Sequence, residues 1–522
     1  MKRSAVLGIV AGALLATQTS AAMIDITNDS IPAGQTKSWV ASNKYVLHGK
    51  VVVKAGSRLN IAAGTTIYGA GAPVSDSVAM LIVARDGRLY ATGTAAQPII
   101  FTSILDTGIN QPLAINDNER GLWGGINIFG RAPCNTEGGV DNSYSSDITI
   151  TDTSWITFGD SGNVTSAATY AKNSFDTSGV LEYVSVRYTG AADMSEIKGL
   201  MFCGVGAGTK VDHCEVFMCN EDGLNFTAGT VNAKYLISAF QAGDALMLQG
   251  GYQGNIQYVF AIQTVITSST KNGCMSKWES GDYSYTPITN AHVYNATFIG
   301  TGANNPDTWK YMYGLYIKDR AAGTFANSIL SQCSNYGVYV EDYLDAGDST
   351  GSRFWLDDSA LVLKNNIFYG FGKGNGVDSI CEGLPFLQTY IATAARMNDT
   401  LDPVSADLAG HAQGSSILVH PQAVRQRSTW ERYRPAGFSI KQPIAERLIQ
   451  VRRFGRPDGR LSPFPTAPFL SRVQRRLLTI AAFLPRLRPI GQLPVKVMFA
   501  YFHGTSRTRE RQVSGYFPQA AN

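Results

Sequence analysis

A short segment that returns along the chain constrains this sequence more than any other feature. VKAGSRLNIAAGT from Val53 is echoed by VARDGRLYATGT from Val83, which places Arg58-Leu59 and Arg88-Leu89 30 residues apart. Each copy has a short β-rich run, a Gly turn and a Gly-Thr punctuation, a strand–turn–strand pattern. A second series follows: YVSVRY from Tyr183, HCEVFM from His213, YLISAF from Tyr235 and YVFAI from Tyr258 align as one strand seen four times, with HVYNAT from His292 as a fifth candidate. Their first residues are separated by 30, 22, 23 and 34 positions. Period-two alternation sends Val184 and Val186, Cys214, Val216 and Met218, and Leu236, Ser238 and Phe240 to one side.

The spacings choose between architectures. One coil of a three-strand solenoid takes about 20–30 residues, more where a loop is inserted. A sandwich would show turns every 8–12 residues or so without long-range self-similarity. A helical solenoid would need a period near 3.6, which residues 23–370 do not show. The expectation is therefore an all-β chain, a right-handed parallel β-helix. Its coils cover one another, since no single coil can bury its own apolar side chains. Asn295, Asn327 and Asn366, each before an apolar run, suggest further coils with Asn at a turn. The 53 glycines suit many tight turns.

The ends differ from the middle. Lys2-Arg3, the apolar run Ala5 to Thr17 and Ser20-Ala21-Ala22 read as a signal peptide over 1–22, so the protein is expected to be secreted, periplasmic or on the cell surface. Residues 23–45 are expected to cap the stack, 46–400 to form the β-helix with inserted loops, and 401–522 to be an Arg/Pro-rich tail, irregular or partly helical and poorly packed. No apolar run after the signal reaches the roughly 20 residues of a membrane span. From Pro421 onward there are 17 Arg and 2 Lys against 4 acids, whereas residues 1–420 carry 25 basic and 36 acidic side chains. That switch fits either an Arg- and aromatic-bearing segment that touches nucleic acid or anionic polymer, or an out-of-frame coding stretch. No nucleic-acid contact is expected of the β-helix itself.

Seven scattered cysteines (134, 203, 214, 219, 274, 333, 381) form no C-x-x-C pair, and the six histidines lie far apart, so no zinc or haem site is expected. Cys214 sits on an apolar strand face and reads as a buried small hydrophobe.

Four stretches resemble secreted bacterial right-handed β-helix proteins of the pectate-lyase-like superfamily: GLWGGINIFGRAP from Gly121, GVLEYVSVRY from Gly179, EDGLNFTAGTVNAKYL from Glu221 and GGYQGNIQY from Gly250. The resemblance spans roughly residues 40–370 and implies the fold. It leaves the activity open, because the superfamily includes lyases, hydrolases, adhesins and structural proteins. Relatives tend to carry an acid-rich turn one coil after Glu221-Asp222-Gly223. Here that turn is QAGDALM from Gln241, which keeps only Asp244.

Asp222 and Asp244 are the candidate catalytic residues should the protein be an enzyme. They are 22 residues apart and fall on adjacent coils. Paired carboxylates about 5–5.5 Å apart serve retaining glycosidases. A calcium-type oxygen site, or two turn aspartates bonding local amides, are the other readings of the same pair. A lyase would need a basic residue to take the proton, for which Arg187, Lys210 and Lys234 are candidates. His213 and His292, at the position held elsewhere by Tyr, read as members of a ring ladder. Trp278, Tyr283, Trp309 and Tyr313 are the candidate glycan-binding residues, since exposed rings stack on sugar faces; packing of a long loop on the β-helix is the alternative. The expected partner is an extracellular polysaccharide or a cell-surface component, and no cofactor is expected apart from the calcium alternative. The reading is a non-enzymatic surface or extracellular β-helix with a glycan-binding or structural role; the alternative is a polysaccharide lyase or glycoside hydrolase.

Overall fold

A computed structural model describes residues 21–27, 30–70, 78–106, 120–135, 140–141, 152–159, 173–191, 197–263, 273–281, 286–301, 313–343 and 350–400. The basic segment beyond 400, Tyr283 and Trp309 lie outside the described residues.

Apart from one antiparallel pair, Val140–Asp141 with Phe158–Gly159, the strands join two parallel sheets in which chain order and spatial order agree. Ten strands, from Ser30–Ile31 to Val338–Val340, stack as one side of the coil. The seventeen-stranded sheet supplies the other two sides, because its strands turn a corner. Every ladder in both sheets is parallel. The two early repeats pair as the sequence aligned them, Arg58 with Arg88 and Leu59 with Leu89.

The corner explains the recurring ring. Tyr183, His213, Tyr235 and Tyr258 all adopt the left-handed conformation, with φ of 53°, 54°, 56° and 63°. That conformation costs a side-chain-bearing residue about 1–2 kcal/mol. Stacking offsets much of it, since such ring pairs contribute about 0.5–1.5 kcal/mol. Successive centroids lie 4.4, 4.5 and 4.9 Å apart. The next coil changes device. His292 pairs with Asn255, three residues short of the corner, and Asn295 takes the corner position at φ 57°. His292 is therefore not the fifth member of the series; the inserted loop before it displaces the apparent alignment. Asn327 and Asn365 continue the column at φ 57° and 60°, and Asn365 Nδ2 donates to Asn327 Oδ1 at 3.0 Å. Asn tolerates this conformation because its short polar side chain bonds locally. Asn366 stands one residue past the corner, where its buried amide donates to the Phe325 carbonyl and accepts from the Ser328 amide, both at 3.0 Å.

Inside, Val184, Cys214, Leu236 and Val259 form one apolar column within a core that runs from Ile26 to Ile391. Ala22–Thr27, Ser30–Ile31 and Thr36–Trp39 are the first coil, hydrogen-bonded to the next through Asn43–His48, Lys50–Val53 and Arg58–Ile61. At the other end two short helices, Val377–Ile380 and Pro385–Ala392, close the stack by burying Ile380, Leu387 and Ile391. Among the described residues no helix is long and apolar enough to cross a membrane.

All seven cysteines are buried and none is in a disulfide. Burial pushes the thiols of Cys214, Cys219, Cys333 and Cys381 up to about 12. Thiolate is the reactive form. A disulfide-exchange reagent at neutral pH is therefore expected to find no fast-reacting thiol in the native protein and all seven after denaturation. A fast native reaction at any of them would contradict this packing.

Candidate functional site

Both candidate aspartates lie in the turn that enters the ten-stranded sheet. Leu200, Leu224, Leu246 and Ser276 are in register, so the residues two positions earlier, Lys198, Asp222, Asp244 and Cys274, form a column. Asp222 Oδ1 accepts the Asp244 amide at 2.9 Å, and Asp244 Oδ1 accepts the Cys274 amide at 2.6 Å. Each carboxylate thus ties its coil to the next. Asp222 Oδ2 also accepts from Asn225 Nδ2 at 3.3 Å and lies 3.5 Å from Lys198 Nζ. Glycine makes the approach close: a Cβ on Gly243 would sit 2.6 Å from Asp222 Oδ1, and one on Gly273 would run into the Gly243 backbone.

Burial, then the neighbouring Asp222 carboxylate, pushes Asp244 up to about 7, with Lys277 pulling the other way. A carboxyl group raised in this way is the kind of group that serves as a general acid. Among the described residues, no group of three or more His, Cys, Asp or Glu side chains is placed to hold a metal ion.

Beyond the aspartates the outer surface of the ten-stranded sheet becomes a charged row. Lys277 pairs with Glu279 at 2.9 Å, and Lys318 bridges Glu279 at 3.2 Å and Asp319 at 2.6 Å. Glu341 accepts the Asp319 amide at 2.7 Å and the Tyr343 hydroxyl at 2.9 Å. Although burial works against it, the charges of Glu279 and Asp244 raise Lys277, and burial raises Glu341. Half-buried Tyr316 and Tyr339 stack beside the row, centroids 4.6 Å apart. Rings stacked coil on coil cover each other's faces and leave hydroxyls and edges outward. The row is contiguous only because Ser276, Leu315 and Val338 are in register across two long connections. Unequal connections hide that register, so Lys277, Glu279, Lys318 and Glu341 carry no motif that sequence reading could find.

Two of the proposed sugar-binding rings are not surface platforms. Trp278 is fully buried, and its indole N–H donates to Ser276 Oγ at 2.9 Å. Ser276–Glu279 is a strand rather than loop, and alternation that sends Lys277 and Glu279 outward sends Trp278 into the core. Tyr313 is also buried, against Tyr336 at 5.8 Å and Tyr316 at 5.1 Å. Burial, then a hydrogen bond to Glu382, raises its hydroxyl pKa.

The basic candidates separate as well. Arg187 is fully buried on the outer surface of the seventeen-stranded sheet, where Glu215, Phe217 and Ile237 are buried beside it. It has no access to a polymer. Lys210 and Lys234 stay half-exposed on another side of the coil, paired with Glu182 at 2.8 Å and Asp212 at 3.4 Å. The structure does not gather Arg187 with the two aspartates.

Comparison with known proteins agrees with the stack of coils. A search of curated proteins finds no match. The model of the pectate-lyase-like β-helix domain matches residues 34–366, which runs from the first coil to the last Asn of the corner region. With that match over more than half its length and parallel ladders throughout the two large sheets, this chain belongs to the pectate-lyase-like β-helix family.

Proposed function

We propose that the protein is an exported, non-catalytic β-helix whose ten-stranded side binds an extracellular glycan. The observation that carries this reading is the row Lys277, Glu279, Lys318 and Glu341 with the hydroxyl rims of Tyr316 and Tyr339. It alternates donors and acceptors on a rigid sheet, and a hydroxyl needs both. Asp222 and Asp244 hold coils together beside this row by accepting backbone amides. The signal-like start supports export, and the reading requires no cofactor.

A polysaccharide-cleaving enzyme is the second reading, and the raised Asp244 favours it. Oligosaccharide arrays together with reducing-end and unsaturated-product assays on neutral and acidic polysaccharides separate the two. We expect binding without turnover, lost in Lys277→Ala/Lys318→Ala and kept in Asp244→Asn. Turnover that disappears in Asp244→Asn or Asp222→Asn would overturn the preferred reading. The same variant has a stability signature. A carboxyl raised by folding contributes stability that is present below its unfolded pKa, near 4, and is lost as pH rises through its folded pKa, about 7. Asp244→Asn should therefore remove a decline in unfolding free energy across that window.

A further inference from the structure

A concavity lies on a different side of the coil from the charged row. It has a volume of about 460 Å³, and residues 207–209 are among those that line it. That is within the range of small-ligand sites, about 300–1,000 Å³. Its floor is a grid set by strand register. Lys210, Asn232 and Asn255 form one outward column, and Asp212, Lys234 and Gln257 the next. Neighbours in a column are about 4.8 Å apart, and the columns are two residues apart along the strand, about 6.6 Å.

The charges in this grid are already matched. Lys210 Nζ lies 2.8 Å from Glu182, and Lys234 Nζ lies 3.4 Å from Asp212, which also takes a contact from His213 Nδ1. An anion would have to compete with Glu182 and Asp212 for the lysines, and a cation would have to displace the lysines from the acids. The three carboxamides each donate and accept. Asn255 Nδ2 donates to Asn232 Oδ1 at 2.8 Å, which sets the amide orientation along the column. Balanced donors and acceptors with cancelled charge suit a ligand whose own groups do both, and neutral hydroxyls are such groups.

We propose that this pocket is a second saccharide site, separate from the ten-stranded side, which takes a short stretch of a neutral, hydroxyl-rich glycan.

Lysine acetylation footprinting of the full protein, read by peptide mass spectrometry, tests it. The probes are cellotetraose, xylotetraose, mannotetraose, maltotetraose and tetragalacturonate. We expect at least one neutral tetrasaccharide to slow acetylation of Lys210 and Lys234 several-fold, with little dependence on salt. Asn232 and Asn255 are exposed, so Asn232→Ala/Asn255→Ala should keep its thermal unfolding temperature. The loss of their hydrogen bonds should weaken that binding about tenfold. Protection confined to Lys277 and Lys318 would overturn the second site while leaving the first intact. Stronger protection by tetragalacturonate that fades with salt would overturn the neutral class. No protection of Lys210 or Lys234 by any probe would overturn the proposal outright.

Discussion

Trp278→Ala is expected to lower unfolding free energy by about 3–5 kcal/mol, the range for deleting a large buried aromatic. The indole is fully buried, meets Phe325 edge-on with centroids 6.4 Å apart and donates its N–H to Ser276 Oγ. Truncation removes those contacts and leaves a cavity between coils. Coils cannot close independently of their neighbours, because each strand is bonded on both sides. Urea unfolding of the variant against the parent measures the loss. The result also discriminates between roles. A surface sugar platform would give a variant of normal stability that fails only to bind, and that outcome would remove Trp278 from the core.

A loss of similar size is expected where charge is buried. Arg187 and Glu215 both have fully buried side chains, with Arg187 Nη2 4.0 Å from Glu215 Oε2. Ser185 links them: its hydroxyl donates to Glu215 at 2.6 Å and accepts from Arg187 Nε at 2.8 Å. Arg187→Ala would strand a carboxylate in a dry setting, a change that typically costs about 3–5 kcal/mol. Replacing both groups with apolar ones, as in Arg187→Met/Glu215→Leu, should recover most of it, since the pair must offset its own desolvation. Chemical unfolding of the single and double variants tests this. A single-variant loss under about 1 kcal/mol would mean the pair behaves as a solvent-screened surface bridge.

The two residues also show how far the candidate chemistry was legible. Arg187 sits on a strand face that period-two reading sends outward, and it does point outward from the core. Its burial depends on what covers that side of the sheet, which strand periodicity does not encode. The burial of Trp278 is hidden for a different reason. A cluster of aromatic residues resembles an exposed loop when strand boundaries are obscured by insertions. Lys210 and Lys234 are legible as basic residues near strand starts, but only register shows that they share a pocket with Asn232, Asn255 and Gln257.

Within one coil the sequence alone determined nearly everything. The alternation from Val184 to Ile262 and the left-handed corner filled by Tyr, His or Asn are local demands of backbone and solvent, so they recur wherever a coil recurs. The ladder partners of Tyr183, His213, Tyr235 and Tyr258 followed from that recurrence. Where connections between coils lengthen, recurrence is lost. The tertiary structure alone decided that Lys277, Lys318 and Glu341 meet, that Asn295 rather than His292 takes the corner, and that Arg187 is covered. Loop length is nearly free for a solenoid, because closing a longer loop costs only a slowly growing entropy. Contacts across such loops are therefore set by the stacking of the coils and leave no spacing to read.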